Sequence, residues 1–395
     1  MTRRLLRASF LIPTLCFAVL VTSNGIISTH ISLQLGKSGY SVPDIGLVQA
    51  AYFVGLAMGS PLAVALIARI GERRLFALCT AIGAAASAGH LVQADLVLWS
   101  MLRLVMGICL AGVFTSMESS LHAAVSNDVR GRLFAYYQLA TYASISGGQF
   151  LLSAASGSSI EPFGLTAALL FTASLPALAR ARDSDNSAEK LHHFSKASFS
   201  DYRKVLECCS LSMVASGLSG IFLSSFYTLL PAAAAGLGLH EQEVSSFIGI
   251  GVGAALFCLW PVARLSDGIG RPRTLLFISS VICASAAMLF SYPSPQALST
   301  WGLAYSAAIF CVYAQATSDA NDRLPSSMQG AAVAMILATY SLGGCLGPVL
   351  TSLWMDKSGH AGYFSVVFGS GLVLWLSSFF TLLRRKKESR LLMRT

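Results

Sequence analysis

The chain has 395 residues, of which 54% are hydrophobic and 11% charged, with a formal net charge of +9. A soluble protein carries about 25% charged residues, and so few cannot cover a water-exposed surface. This excludes a disordered chain, a coiled coil and an ordinary cytoplasmic enzyme, and the mean hydropathy of +0.65 leaves a polytopic membrane protein.

A helix needs about 20 mostly apolar residues to cross hydrocarbon. The first candidate lies near 8–33. Arg3, Arg4 and Arg7 precede it as in a signal peptide, but no A-x-A cleavage site follows and apolar character continues through Ile26, Ile27 and Ile31. It therefore reads as an uncleaved first span. Further candidates lie near 45–69, 73–93, 96–123, 132–155 and 163–180. A polar stretch over 181–203 then interrupts, with Arg182, Asp183, Glu189 and Lys190 among its charges. Six more candidates follow near 205–235, 243–265, 273–291, 297–319, 329–354 and 362–383. The chain reads as an all-α polytopic membrane protein of twelve transmembrane helices. An N-terminal six-helix bundle covers 1–180 and a cytoplasmic linker 181–204. A C-terminal six-helix bundle with a basic cytoplasmic tail covers 205–395.

Orientation follows from Lys and Arg in the loops. With a cytoplasmic N-terminus, the inner loops and both tails hold 24 of the 27 basic residues, the outer loops only Lys37 and Lys357, and Arg103 lies within a span. Both termini are thus expected in the cytoplasm, and the chain in the inner (plasma) membrane. The run Arg384–Lys387 reads as an anchor at anionic lipid rather than a nucleic-acid patch. The nine Cys fall within or beside apolar stretches, without CxxC spacing, and read as small buried hydrophobes.

The halves repeat. Gly71 and Gly270 are 199 residues apart, as are Gly131 and Gly330, and Gly148 and Gly347. One offset at three places signals a duplication. Parallel halves related about the membrane normal are a transporter architecture.

Polar groups are costly in hydrocarbon and gather where water or protein satisfies them. Span 1 holds Asn24 and His30, span 4 Arg103 and Glu118, span 5 Tyr142, span 7 Tyr227, and span 10 Tyr313 and Gln315. The interiors of spans 3, 6, 9 and 12 carry no Asp, Glu, Lys or Arg. Arg103 lies about 10 Å into the bilayer at 1.5 Å per residue. Such a charge reads either as an anion-attracting or proton-coupling group near Asn24 and His30, or as a brace bonded to span 1. Glu118, with His122 on the same face, reads as the coupling carboxylate or as a group snorkelling to the interface. Asp319 and Glu207, near span ends, read as solvated. Gly249-x-x-x-Gly253 reads as a close-packing face.

The loop Ala68-Arg69-Ile70-Gly71-Glu72-Arg73-Arg74 and its copy Asp267-Gly268-Ile269-Gly270-Arg271-Pro272-Arg273 resemble the signature of the major facilitator superfamily. Arg103-x-x-x-Gly107 is similar to its second signature. Met117-Glu118-Ser119-Ser120, Arg130-Gly131-Arg132, Gly148-Gln149 and Trp260-Pro261-Val262-Ala263-Arg264 resemble the YcaD-like subgroup. The resemblance implies that spans 1, 4, 7 and 10 line a central cavity. It also implies gating by Gly71, Arg73, Asp267, Gly270 and Arg271, with Asp267 latching onto span 5 beside Arg130 and Arg132. The first copy departs at Ala68, where Asp is expected, so the gate would be asymmetric. Span 5 lacks the proline of drug/proton antiporters, which disfavours drug antiport.

Together these features point to a secondary active transporter of a small organic solute, working by alternating access and coupled to protons. Open alternatives are an uncoupled facilitator and a non-transporting sensor or scaffold. The expected partners are a small-molecule substrate, protons and the lipid bilayer, without nucleic acid, cofactor, metal or catalytic residue. The expected working unit is a monomer.

Overall fold

The computed structural model describes the backbone of residues 2–124, 127–156, 158, 160–181, 199–325 and 328–392, and the side chains of residues 14–117, 138–156, 158, 160–175, 203–325, 328 and 331–384. Among these the regular structure is helical. In chain order the helices are α1 (Thr2–Lys37), α2 (Val42–Ile70), α3 (Glu72–Gly89), α4 (Leu96–Ala124), α5 (Asn127–Ser156) and α6 (Pro162–Ala181), then α7 (Phe199–Cys208), α8 (Ser210–Thr228), α9 (Leu230–Gly236), α10 (Glu241–Ile269) and α11 (Arg271–Ser291). A single turn, α12 (Pro295–Ala297), and a π-helical turn, Leu298–Gly302, lead into α13 (Leu303–Arg323). α14 (Gln329–Ser358) and α15 (His360–Leu392) complete the chain.

Nine helices among the described residues are long and apolar enough to cross a membrane. The expected third, fifth and sixth spans are helical, as α3, α5 and α6, but are not among the nine. α3 opens with the charged run Glu72-Arg73-Arg74, the described side chains of α5 begin only at Gln138, and those of α6 end at Leu175. The expected seventh span, 205–235, is three helices rather than one. Pro231 has no N–H to bond the carbonyl four residues back, so α8 ends and α9 starts afresh at Leu230.

The chain divides into two compact units. The first holds Met1–Phe194 with His240–Gly249, and the second Ser195–Leu239 with Ile250–Thr395. Most of the expected linker, over 182–198, lies outside the described residues. Within the first unit α2 packs on α4, α3 on α6, and α1 on α5 and α6. Within the second, α8 packs on α14, and α11 on α15 and α13.

The duplicated glycines occupy matching positions. Gly71 joins α2 to α3 at φ +83° and Gly270 joins α10 to α11 at φ +90°. A side chain strains there, whereas glycine turns without cost. Each N–H bonds the carbonyl four residues back, Ile67 or Ser266, at 2.9 Å. Gly148 and Gly347 mark the other matched pair of contacts. A Cβ on Gly148 would lie 2.6 Å from the Thr22 carbonyl of α1, and one on Gly347 would lie 2.9 Å from the Ile221 carbonyl of α8. Gly131 and Gly330 lie outside the described side chains.

Candidate functional site

Three polar constellations stand out. The first surrounds Arg103, which is 0% exposed. α2 and α4 approach closely because Gly55 and Gly107 face the opposing backbone, and a Cβ on Gly107 would collide with the Tyr52 carbonyl. This closeness brings α2 side chains onto the guanidinium. Arg103 Nη2 donates to Gln49 Oε1 at 2.7 Å and to Ser28 Oγ at 3.3 Å. Gln49 Nε2 in turn donates to the Ser28 carbonyl and to Ser32 Oγ, both at 2.7 Å. The guanidinium lies 4.3 Å over the Tyr52 ring, and the Tyr52 hydroxyl accepts from Asn24 Nδ2 at 3.2 Å. Arg103 Nε and Nη1 have no hydrogen-bond partner among the described residues. Stacking and amide oxygens offset part of the cost of burying a cation, but no described carboxylate pairs with it.

Arg103 and Asn24 are therefore linked through Tyr52. His30 belongs to the second constellation, at the Lys37 end of the same unit. His30 Nδ1 lies 3.2 Å from Glu241 Oε1, and Nε2 lies 3.7 Å from Glu161 Oε1. Lys37 also bonds Glu241. The first turns of α10 join this cluster: Ser153 Oγ bonds the Gln242 carbonyl at 3.0 Å, and Ser146 Oγ bonds that of Gly249 at 2.8 Å. A cavity of about 560 Å³ opens beside His30, walled by His90, Trp99 and Phe163, with Glu161 and Gln93 also lining it. Phe163 stacks on His90 at 5.3 Å and meets His30 edge-on at 4.6 Å. Arg103 does not line this cavity. It sits one helical turn beyond Trp99 on the same face of α4.

The third constellation lies in the second unit, where α10 meets α11 and α13. Asp267, 67% exposed, pairs with Arg271 at 2.9 Å. Arg271 also bonds Asp322 and Ser266, each at 2.9 Å. Ser266 Oγ donates to Gln315 Oε1 at 2.6 Å, which places the expected Gln315 in this network. Arg73 is half-buried. Arg130 and Arg132, the expected partners of Asp267, lie outside the described side chains, as does that of Glu118. Tyr142 is half-buried. Tyr227 packs on Phe226 and Phe310, and Tyr313 on Tyr340.

Glu207 is exposed and pairs with Arg203. Asp319 is not solvated as expected: it is 2% exposed. It accepts from Ser212 Oγ and from Arg323 Nη2, both at 2.8 Å. Its position near a helix end suggested solvent, but α8 covers it. Sequence reasoning also missed Gln49, Tyr52, Glu161 and Glu241. Gln49 alone carried a signal, as a lone amide in the apolar run of α2. Gly249 packs closely as expected, a Cβ there lying 3.1 Å from Gln149 Cβ. Of the cysteines, Cys208 is exposed, against the expectation of burial.

The sequence matches the Major Facilitator Superfamily over residues 13–348. It is 31% identical over 362 residues to the uncharacterized MFS-type transporter YcaD of Escherichia coli strain K12 / DH10B, covering 89% of this chain and 88% of that protein. It is 27% identical to the uncharacterized MFS-type transporter YE1530 of Yersinia enterocolitica, covering 91% and 92%. Among solved structures it resembles the nucleoside transporter NupG, with a TM-score of 0.74 and 13% identity over 94% of this chain and 98% of that one. It also resembles a D-xylose-proton symporter, with a TM-score of 0.66 and 15% identity over 94% and 96%. At such identities the two structures speak for the fold, while the family match and the relatives mark a multi-pass membrane transporter and not an enzyme. The chain belongs to the major facilitator superfamily and resembles its YcaD-like members.

Proposed function

We propose that the protein is a secondary active transporter of a small organic solute, working by alternating access and coupled to protons. In this reading twelve helices form two six-helix bundles, at 1–180 and 205–395. Both termini are cytoplasmic and the membrane is the inner one, so the Lys37 end of the first unit faces outside. The observation that carries the reading is Arg103: a buried cation that no described carboxylate neutralises, held in a transporter-family fold. An intramembrane charge of this kind marks a substrate or proton route by default. The likeness to a proton symporter supports the choice of proton.

Arg103, Glu118, Asn24, His30, Tyr142, Tyr227, Tyr313 and Gln315 form the proposed solute and proton route. Gly71, Arg73, Asp267, Gly270, Arg271, Arg130 and Arg132 form the proposed gate. Asp267 holds Arg271 in the described state, so its exchange for a partner on α5 would accompany closure of the cytoplasmic side.

A metabolite screen by thermal shift supplies candidate solutes. Proteoliposomes with an imposed pH gradient then test them. The reading expects uphill accumulation that an uncoupler abolishes. Equilibration that ignores the uncoupler would make the protein a facilitator, and no flux of any stabilising solute would leave it a sensor or scaffold.

A further inference from the structure

We propose that His30 is a proton-operated fastener, which holds the first turns of α10 on α1 and α5 when it is charged and lets them lift when it is neutral. The inference goes beyond the transport reading, in which His30 only lines the route. Its test needs neither a solute nor a gradient, so either can fail alone.

The contact being fastened is made of small, uncharged groups. The segment His240–Gly249 packs within the first unit, although α10 runs on from Ile250 as part of the second. Ser153 Oγ of α5 bonds the Gln242 carbonyl at 3.0 Å and lies 2.9 Å from Ser246 Oγ. Ser146, two turns earlier on the same face, bonds the Gly249 carbonyl at 2.8 Å. Gly249 keeps the backbones close, since a Cβ there would lie 3.3 Å from the Ser146 carbonyl. Bonds between neutral hydroxyls and carbonyls are individually weak, because water replaces them at little cost. Such a seat separates readily unless something charged ties it down.

The charged tie is Glu241. Lys37 bonds one of its oxygens, and His30 Nδ1 lies 3.2 Å from the other. His30 is 6% exposed and lies between two carboxylates, with Nε2 3.7 Å from Glu161 Oε1. A neutral imidazole has one N–H and one lone pair, so it can donate toward only one of the two. The other carboxylate then faces a lone pair. A proton from solution gives both ring nitrogens an N–H and adds a positive charge between two negative ones. The charged ring therefore ties α1 to α10 and to the start of α6 together.

The other titratable groups around α1 leave this switch to His30. His90 of α3 lies within electrostatic reach of it. α2 brings Asp44, held in its own cap by Ser41, and Tyr52, bonded to Asn24. α4 brings Arg103, bonded to Ser28. α5 from Gln138 onward brings only Tyr142. Beside Glu241, Glu243 is exposed and accepts from the His240 backbone N–H. The seat should tighten as the pH falls through the histidine range and loosen as it rises.

The test is thiol labelling of the purified full-length protein in detergent. Ser153→Cys places a probe in the contact, where the native side chain is buried. It is made in a Cys208→Ser background, because Cys208 is exposed. Its maleimide rate, above that of the background alone, is divided by that of Ser299→Cys, an exposed residue of the second unit. This ratio should fall several-fold from roughly pH 8 to 5.5, on either side of the ordinary histidine value. Glu241→Gln should raise it about 10-fold, as expected for loss of a charged hydrogen bond. Lys37→Gln should raise it while leaving the pH response in place, whereas His30→Gln should abolish the response. A merely structural role for His30 would move the rate without touching its pH dependence. If His30→Gln does not fold, Glu161→Gln decides, since removing one of the two carboxylates should shrink the response. A ratio independent of pH, an unchanged response in His30→Gln or Glu161→Gln, or no labelling of Ser153→Cys even with Glu241→Gln overturns the proposal.

Discussion

Gln49 presents its amide oxygen to Arg103 at 2.7 Å because its amide nitrogen is pinned by Ser28 and Ser32, also at 2.7 Å. The side chain thus has a fixed sense: acceptor toward the cation, donor toward α1. Gln49→Leu should remove the strongest partner of a fully buried guanidinium and lower stability by about 1.5–3 kcal/mol, the range for a hydrogen bond to a charged group. Gln49→Glu supplies a carboxylate to Arg103 but sets its second oxygen against the Ser28 carbonyl, which can only accept, so its thermal midpoint should stay near the parent's and above that of Gln49→Leu. Thermal unfolding followed by tryptophan fluorescence in detergent measures both. A Gln49→Leu midpoint equal to the parent would show that Tyr52 and Ser28 suffice to support the cation.

Two adjacent glycines of α5 should behave oppositely. A Cβ on Gly148 would stand 2.6 Å from the Thr22 carbonyl, while one on Gly147 meets nothing within 4 Å. Gly147→Ala should be neutral or stabilise by about 0.5–1 kcal/mol, the helical preference of alanine. Gly148→Ala should push α5 from α1 at a cost of about 1–3 kcal/mol. Monodisperse yield on gel filtration and the thermal midpoint should separate the pair. Equal behaviour would mean that the α1–α5 approach is looser than described.

Much of the architecture could be read before any coordinates. Hydropathy located the long helices, and the 199-residue offset predicted that Gly71 and Gly270 do the same job, as their φ angles of +83° and +90° bear out. What could not be read was tertiary. Hydropathy averages over Pro231, so one apolar run concealed the break between α8 and α9. The partners of Arg103 come mainly from α2, and which face of α2 meets α4 depends on the close approach at Gly107. Asp319 looked solvated because depth along a helix was legible, whereas cover from α8 was not.

Glu118 carries the coupling prediction. Glu118→Gln mimics the protonated carboxyl permanently, so uphill accumulation should fall to background while exchange of internal for external solute continues. Proteoliposome flux with and without a pH gradient distinguishes the two modes. Unchanged uphill accumulation in Glu118→Gln would remove this residue from the coupling role and leave the proton to another group.

Asp319 and Arg323 offer a separate test in the second unit. Asp319 is 2% exposed and holds Ser212 and Arg323, while Arg323 Nη1 also reaches the Cys208 carbonyl at 3.0 Å. Removing one member of a buried ion pair leaves an uncompensated charge, whereas removing both can be nearly neutral. Arg323 retains some exposure, so Asp319→Asn should cost about 2 kcal/mol, below the fully buried range. Arg323→Gln should cost more, because the carboxylate is the more deeply buried partner. The double variant Asp319→Asn/Arg323→Gln should be more stable than Arg323→Gln alone. Thermal midpoints of the four proteins form a double-mutant cycle, and strict additivity across it would mean that the pair is not coupled.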